Sequence, residues 1–152
     1  MGVISKTRGK TIVGALDRIS EPQSEIRTAT VTLTNAQSKA LATTPQVLVA
    51  APGTGKCLAL VEVFAKNTFL TTAFAGTNTL EFRYTSSNGA KVTADIDAAF
   101  LLATATGYRS VKGVVTELTP VLNAPIVVDT TGDATQGLGA LKFTVQYRVV
   151  TP

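Results

Sequence analysis

The sequence contains no histidine, no tryptophan and a single cysteine in 152 residues. Histidine is the usual general base near neutral pH and the commonest metal ligand, so its absence disfavours most enzyme mechanisms, although Asp, Glu, Lys and Ser remain. One cysteine, Cys57, forms no internal disulfide, zinc knuckle or CxxC redox pair. These absences predict a protein that is not an enzyme and that uses no cofactor or metal.

Charged residues and long apolar runs are also scarce. Charged residues make up 16% of the chain, against about 25% in an ordinary soluble domain. No stretch approaches the roughly 18–20 apolar residues that a membrane-spanning helix needs. The N-terminus lacks the apolar core of a secretory signal, and Lys6 stands where a myristoylation motif requires Ser or Thr. We therefore expect a soluble protein with no membrane contact.

The positive charge is concentrated near the N-terminus of a chain whose net charge is +4. Residues 1–27 are polar and interrupted by Gly and Pro, so we predict an extended N-terminal arm there and one domain over residues 28–152. The arm is either a solubilising tail or an extension that docks on an acidic surface of a partner. A nucleic-acid partner is not expected, because the chain lacks a basic face interleaved with aromatic residues. The basic arm residues are Lys6, Arg8, Lys10 and Arg18.

Short apolar or alternating segments separated by Pro, Gly and Asn turns fill the rest of the chain. The clearest is 141–150, where apolar and polar residues alternate over the whole run. Together the segments predict an all-β fold, a jelly-roll-like antiparallel β-sandwich with one or two short helical turns. Helical turns are predicted at 35–41, after a capping-box pair Thr34 and Gln37, and at 95–103. The predicted strands are 27–34, 45–49, 57–65, 80–84, 92–96, 110–118, 126–130 and 141–150.

Two of these segments carry more detailed predictions. In the run 57–65, apolar residues occupy both faces of the predicted strand, with Ala59, Val61 and Val63 on one of them. This pattern is typical of a central strand covered on both sides. The dipeptide Asn88-Gly89 predicts a tight hairpin in which both turn residues have positive φ. The returning strand would then place its apolar residues on the inner face, namely Val92, Ala94 and Ile96.

The segment 50–57 superficially matches a phosphate-binding loop. Such a loop requires Gly four residues before its Gly-Lys pair and Ser or Thr after it, and this chain has Ala50 and Cys57 at those positions. The run that follows predicts a strand, whereas a phosphate-binding loop leads into a helix. We interpret the segment as a turn and Cys57 as a buried, inert thiol.

Two pairs of carboxylates are candidates for ligand or acid–base chemistry. Asp129 and Asp133 flank an oxygen-rich stretch that calcium would accept, but their spacing matches no EF-hand loop, and a Gly-rich connection explains them more simply. Asp95 and Asp97 have no partner acid or base nearby in the sequence. We expect these two to cap a helical turn or to be solvated.

The segment 32–56, TLTNAQSKALATTPQVLVAAPGTGK, and the closing run FTVQYRVV resemble the ends of small structural proteins encoded by tailed bacteriophages. The shared pattern is a short strand, a Gln-containing turn, a Thr-Pro step, a Val/Leu strand and a Pro-Gly-x-Gly-Lys turn. The resemblance covers about half of the chain. Its motifs are structural turns without chemistry of their own.

Such proteins are capsid decoration (cement) proteins or small tail and fibre components. The resemblance implies a virion protein, made in the host cytoplasm, that binds the outer surface of the head and stabilises the shell. Its implied partners are the major capsid protein, whose subunits it bridges, and further copies of itself in a homotrimer. Because of their charge and accessibility, Lys6, Arg8, Lys10 and Arg18 are the candidate capsid contacts. The alternative is a phage tail or fibre-associated structural or receptor-binding module, which the shortage of aromatic residues disfavours.

Overall fold

The computed structural model describes residues 25–76, 79–114 and 121–152 of the chain. Within these ranges, seven strands form two antiparallel sheets, accompanied by one short helix and one 3-10 turn. The helix α1 is Asn35–Lys39 and the 3-10 turn is Ala98–Phe100. The strands are β1 Arg27–Thr32, β2 Gln46–Val49, β3 Cys57–Thr72, β4 Leu80–Tyr84, β5 Gly107–Lys112, β6 Ile126–Thr130 and β7 Leu138–Val150.

The two sheets join strands that are far apart in the sequence. The four-stranded sheet has the order β1-β7-β3-β5, and the three-stranded sheet has the order β2-β6-β4. The first and last strands are therefore neighbours, with Val31 opposite Phe143 in their register. This arrangement confirms the predicted all-β sandwich of antiparallel sheets. The jelly-roll connection stays a prediction.

The core lies between the inner faces of the two sheets. Phe82 on β4 and Phe143 on β7 are completely buried and meet edge to face across it, with ring centroids 5.9 Å apart. The hydroxyl group of Tyr84 on β4 donates a hydrogen bond to the carbonyl oxygen of Leu58 on β3, which ties the two sheets together. The other fully buried core side chains include Leu33, Leu41, Leu80, Ile126, Leu141, Val63, Val92, Val128 and Val145.

A bulge in β3 overturns the predicted sharing of a face by Ala59, Val61 and Val63. The register against β7 shifts between Leu60 and Glu62, so the side-chain parity of β3 changes there. Val63 and the alternate residues after it point into the core, and Phe64 points outward. The strand is central, as predicted, but its second face is open along the stretch that contains Phe64.

The hairpin after β4 forms, but not through the predicted Asn-Gly turn. The amide of Tyr84 donates to the carbonyl of Ala90 at 3.0 Å, so residues 85–89 form the connection. Thr85, with φ of 69°, is the left-handed residue, and neither Asn88 nor Gly89 lies in that region. Gly89 is needed for a different reason, because a Cβ atom there would lie 1.6 Å from the carbonyl oxygen of Tyr84.

The segment returning from this hairpin is irregular where a strand was predicted. It pairs with β4 through isolated bridges, including Leu80 with Ile96. Val92 and Ile96 are buried as expected, whereas Ala94 is exposed and the intervening Thr93 is buried instead. The regular inward alternation of Val92, Ala94 and Ile96 is therefore wrong, because the segment does not form a continuous ladder.

Two predicted boundaries also change. The helix predicted at 95–103 is reduced to the 3-10 turn Ala98–Phe100, whose first amide groups are capped by Asp97. The strand predicted at 110–118 is found as Gly107–Lys112, because β5 pairs with β3 from Glu62 to Asn67. The last part of the predicted strand, residues 115–118, lies outside the described residues.

The predicted capping box at α1 is confirmed. The hydroxyl of Thr34 accepts from the amide of Gln37 at 3.3 Å, and the amide of Thr34 donates to the side chain of Gln37 at 2.9 Å. These reciprocal bonds satisfy backbone donors that the first helical turn cannot pair internally. The helix contacts β7 in the four-stranded sheet, and Ser38 is its buried residue.

Candidate interaction surface

The four candidate arm residues lie outside the described residues. Lys6, Arg8, Lys10 and Arg18 all precede residue 25, where the structure begins to describe the chain. The arm boundary at residue 27 and the role of these four side chains therefore stay predictions. The surface described below was not predicted as a site.

The four-stranded sheet presents an open surface on the side opposite the core. Alternate residues of its strands point outward and align in three rows across the sheet; we name this surface the outer face. The first row is Thr28, Gln146, Glu62 and Lys112; the second is Thr30, Thr144, Phe64 and Ser110; the third is Thr32, Lys142, Lys66 and Tyr108.

Two aromatic side chains stand on this mostly polar surface. Phe64, in the middle of the second row, is 42% exposed, and Tyr108, at the end of the third, is 66% exposed. An open groove of about 450 Å³ runs between these two rows. An exposed aromatic ring set among Thr and Lys side chains is typical of a protein interaction surface.

Lys66 makes an electrostatic contact with one of these two rings. Its ammonium group lies 5.6 Å from the centroid of the Tyr108 ring, within the range of a cation–π contact. Lys142 is directly opposite Lys66 in the register of β3 and β7. The third row is therefore basic, and the nearest carboxylate on the outer face is Glu62, two rows away on the same strand.

The sequence contained only part of the signal for this surface. The alternation of the predicted strand 141–150 placed Lys142 and Thr144 on the solvent side, and the structure confirms that parity. The predicted strand 57–65 was expected to be covered on both faces, which would bury Phe64. Lys66 and Tyr108 lie outside the predicted strands. Register between strands distant in the sequence brings these residues together, and local alternation does not contain that register.

A second group of charges lies on the outward side of the three-stranded sheet, but it is buried. Glu81 and Asp129 are 8% and 2% exposed and are register partners on β4 and β6. Arg83 donates to Glu81 from Nε at 3.1 Å and places the same atom 3.6 Å from Asp129. The ammonium of Lys91 lies 2.8 Å from Glu81 and 2.7 Å from Asp95, which links the returning segment to β4.

The two buried carboxyl groups of this network have opposite pKa shifts. Burial opposes ionisation of Glu81, but hydrogen bonds from Lys91 and Arg83 outweigh it and hold its pKa below the ordinary value. Burial raises the pKa of Asp129, and attraction to Arg83 only partly offsets that increase. Because Lys91 and Arg83 are committed to Glu81, we interpret the network as a structural tie.

The candidate calcium pair has other partners. Asp129 faces Arg83, whereas Asp133 accepts hydrogen bonds from the amides of Ala42 and Thr43 at 2.8 and 3.1 Å. Burial opposes ionisation of Asp133, but hydrogen bonds from Thr43 and Ala42 together outweigh it and lower the pKa of this carboxyl group. Each carboxylate therefore has a role in the protein without an ion. Among the described residues, no group of three or more His, Cys, Asp or Glu side chains is placed to hold a metal.

The remaining motifs have structural roles. The segment 50–56 is a turn in which the amide of Lys56 donates to the carbonyl of Gly53 at 3.2 Å, and β3 follows it directly. Cys57 is 2% exposed and lies 3.6 Å from the carbonyl oxygen of Val150, as expected for a buried thiol. Asp97 accepts from the amide of Ala99 at 2.6 Å, which confirms the predicted capping. In the described part of the chain, no helix is long and apolar enough to cross a membrane.

Comparison with known proteins returned structural similarities at low sequence identity. A chain in the capsid asymmetric unit of cyanophage Pam1 has a TM-score of 0.49 and 14% identity, covering 83% of this chain and 84% of that chain. A chain in the capsid of Ralstonia phage GP4 has a TM-score of 0.47 and 14% identity, covering 84% of each chain. No protein-family model and no curated protein matches the sequence.

Proposed function

We propose that this protein is a non-enzymatic structural component of a phage virion, and more narrowly a decoration protein that binds the outside of the head. In this role it bridges major capsid protein subunits and stabilises the shell. The observation that carries the proposal is the open outer face, on which Phe64 is 42% exposed on an interior strand of the four-stranded sheet. The resemblance of residues 32–56 and of the C-terminal strand to phage structural proteins supports it.

The outer face suits attachment better than chemistry. Its rows present mainly hydroxyl and ammonium groups around two exposed rings, without a nucleophile held beside a base. A ring of this kind contributes to affinity when a partner removes it from water, because burial of apolar area is favourable. The outer face is therefore a candidate contact with another protein.

Attachment would stabilise the shell by mass action. A protein that binds assembled subunits and not separated ones lowers the free energy of the assembled state by an amount that grows with its concentration. A homotrimer adds effective concentration, because three contacts on one rigid assembly bind neighbouring sites together. We therefore propose the trimer as the functional form.

The test is sedimentation of the purified protein with expanded empty heads of the phage that encodes it. Wild-type protein is expected to co-sediment and to raise the temperature at which the heads disrupt. The Phe64→Thr variant keeps a strand-forming residue but removes the ring, and we expect about tenfold weaker binding, the loss of roughly 1–2 kcal/mol of apolar contact.

A matched control is Val47→Thr, which alters another exposed apolar residue, 52% exposed on β2 of the opposite sheet. It should bind heads like the wild type. Equal binding by both variants would remove the outer face from the proposal. Absence of binding to heads, together with binding to phage tails or host cells, would favour the tail or fibre module instead.

A further inference from the structure

Two lysines on the outer face are placed directly opposite each other without a compensating acid. Lys66 on β3 and Lys142 on β7 are register partners in the third row. Side chains at directly opposite positions have Cβ atoms roughly 4.5–5.5 Å apart, and like charges there destabilise a sheet. Neither lysine takes part in the ion pairs found among the described residues. The row therefore has an unfavourable charge pair that no acidic side chain in the described part of the chain neutralises.

The neighbours of this pair are suited to an anionic ligand. Thr32 lies beside Lys142 on β1, and Tyr108 lies beside Lys66 on β5, so each lysine has a hydroxyl-bearing neighbour in the same row. Hydroxyl and ammonium groups both donate hydrogen bonds to carboxylate oxygens. Phe64 borders the same groove and offers an apolar contact beside the charges.

We propose that the third row binds carboxylates of an acidic segment on a different protein, while Phe64 packs against the apolar part of that segment. This inference rests on the proposed function, in which the different protein is the major capsid protein. Binding would place negative charge between Lys66 and Lys142 and so remove their repulsion. The two lysines then act as a preformed anion site. Their mutual repulsion destabilises the free protein and is relieved when the partner binds.

Charge argues against other occupants of the row. A second copy packed face to face would bring lysines against lysines, and the N-terminal arm has five basic and three acidic residues, so it also has a net positive charge. A nucleic acid would require a basic stripe with stacked aromatic rings, whereas Phe64 and Tyr108 stand in different rows. An acidic protein segment is the occupant that these observations favour.

The first test separates binding from folding with a single variant, Lys142→Glu. This change places opposite charges across β3 and β7, so the melting temperature should rise. Affinity for empty heads should fall, because one of the two anion-binding groups is reversed. A misfolded variant would lose stability as well as binding, so the combination of higher melting temperature and weaker binding is specific to the proposal.

The second test compares two double variants with the same change in net charge. Lys66→Glu with Lys142→Glu reverses the row, whereas Lys39→Glu with Lys56→Glu reverses lysines on α1 and on the turn before β3. We expect the first pair to weaken head binding by about tenfold or more and the second pair to leave it nearly unchanged. Wild-type binding should also weaken as salt is added.

A direct probe makes the inference independent of the proposed function. Isotope-labelled protein is titrated with a short peptide of aspartate and glutamate, and NMR shift changes are expected around Lys66, Lys142 and Tyr108. Shift changes of equal size in the row-reversed double variant would overturn the inference, as would preference for a single-stranded DNA oligonucleotide over the peptide.

The two proposals fail in different ways. If heads bind the row-reversed variant as tightly as the wild type, the third row is not the contact, but attachment to heads is still supported. If heads bind neither wild type nor variant while the peptide binds the third row, attachment to heads is wrong and the anion site is still supported.

Discussion

Thr85 opens the turn after β4 with φ of 69°, a conformation that β-branched residues rarely adopt. The geometry is imposed by its surroundings, since the Thr85 amide donates to the carbonyl of Pro125 at 3.0 Å while Tyr84 pairs with Ala90. The left-handed region costs an ordinary L-residue roughly 1–2 kcal/mol. The turn thus holds strain that a glycine would not have.

Replacing this residue, Thr85→Gly, is therefore expected to raise the free energy of unfolding by about 1 kcal/mol, after allowing for the greater freedom of glycine in the unfolded chain. Equilibrium denaturation in urea measures the change. The matched variant Ser87→Gly alters a residue in the same loop that does not have positive φ. It should lose stability by about 0.5–1 kcal/mol. A loss in both variants would show that Thr85 is not strained.

The buried network on the three-stranded sheet predicts opposite effects for its two carboxyl groups. Asp129 has a raised pKa in the folded protein, so the folded state holds its proton more tightly than the unfolded state does. Its ionisation then reduces stability as pH rises from the unfolded pKa through the folded one. Asp129→Asn should accordingly be more stable than the wild type at neutral pH, and this advantage should vanish in acid.

Glu81 provides the matched comparison, because hydrogen bonds from Lys91 and Arg83 outweigh burial and lower its pKa in the folded state. Its contribution to stability is present above the unfolded pKa and is lost as pH falls through the folded pKa. Glu81→Gln should lower stability at neutral pH, with the deficit shrinking in acid. Thermal unfolding of both variants at a series of pH values measures these changes in stability. Changes of the same sign in the two variants at neutral pH would contradict the opposite pKa shifts.

At the scale of elements, the short helix α1 depends on its first turn. A helix spanning only Asn35–Lys39 has little intrinsic stability, so the reciprocal bonds between Thr34 and Gln37 and the contact with β7 hold it in place. Thr34→Ala removes the cap and should cost about 1 kcal/mol in unfolding free energy. Thr34→Ser keeps the accepting hydroxyl and should cost much less. Equal losses of unfolding free energy in the two variants would show that packing, and not the cap, is responsible.

The end of the β3–β7 ladder near Phe74 has no room for a side chain at Gly139. A Cβ atom at Gly139 would lie 2.4 Å from the carbonyl oxygen of Thr68, within the ladder that pairs β7 with β3. Gly139→Ala must displace backbone, and we expect a loss of about 2–4 kcal/mol in the free energy of unfolding. Gly53→Ala is an informative contrast because its Cβ atom meets nothing, so only its φ of 102° opposes the change.

At the scale of the whole molecule, the two sheets differ in how they place their charged and aromatic residues. On the three-stranded sheet Glu81 and Asp129 are buried beside Arg83, whereas the outer face exposes Phe64, Tyr108 and two facing lysines. This asymmetry gives the molecule one surface suited to a partner. The arm, if it also binds, would add a second contact to the same assembly.

Removal of residues 1–24 tests the arm without shortening β1, which begins at Arg27. The melting temperature should remain near that of the full chain, while affinity for heads should fall through loss of positive charge. A full-length variant with Gln at the four basic arm positions should lose the same affinity if charge is responsible. Native mass measurement of both forms should show a trimer. A monomer only after deletion would mean that the arm joins copies of this chain.

The elements of this fold were largely readable from local patterns. Alternation over 141–150, the capping box at Thr34 and the apolar strand 126–130 were each found as predicted, because their signals lie within a few residues. Sequence patterns whose outcome depends on tertiary contacts gave wrong predictions. The Asn88-Gly89 pair predicted a tight turn, but contacts between the hairpin and Pro125 selected a longer connection with Thr85 as its left-handed residue.

The sequence by itself determined which segments extend, where the chain turns and that histidine is absent, since composition and short-range periodicity contain that information. Only the tertiary structure decided which side chains share a surface. The bulge between Leu60 and Glu62 reverses the parity of β3, and pairing with β7 and β5 sets Phe64 and Lys66 among their outer-face neighbours. Register is a property of two strands at once, so no single segment of the sequence encodes it.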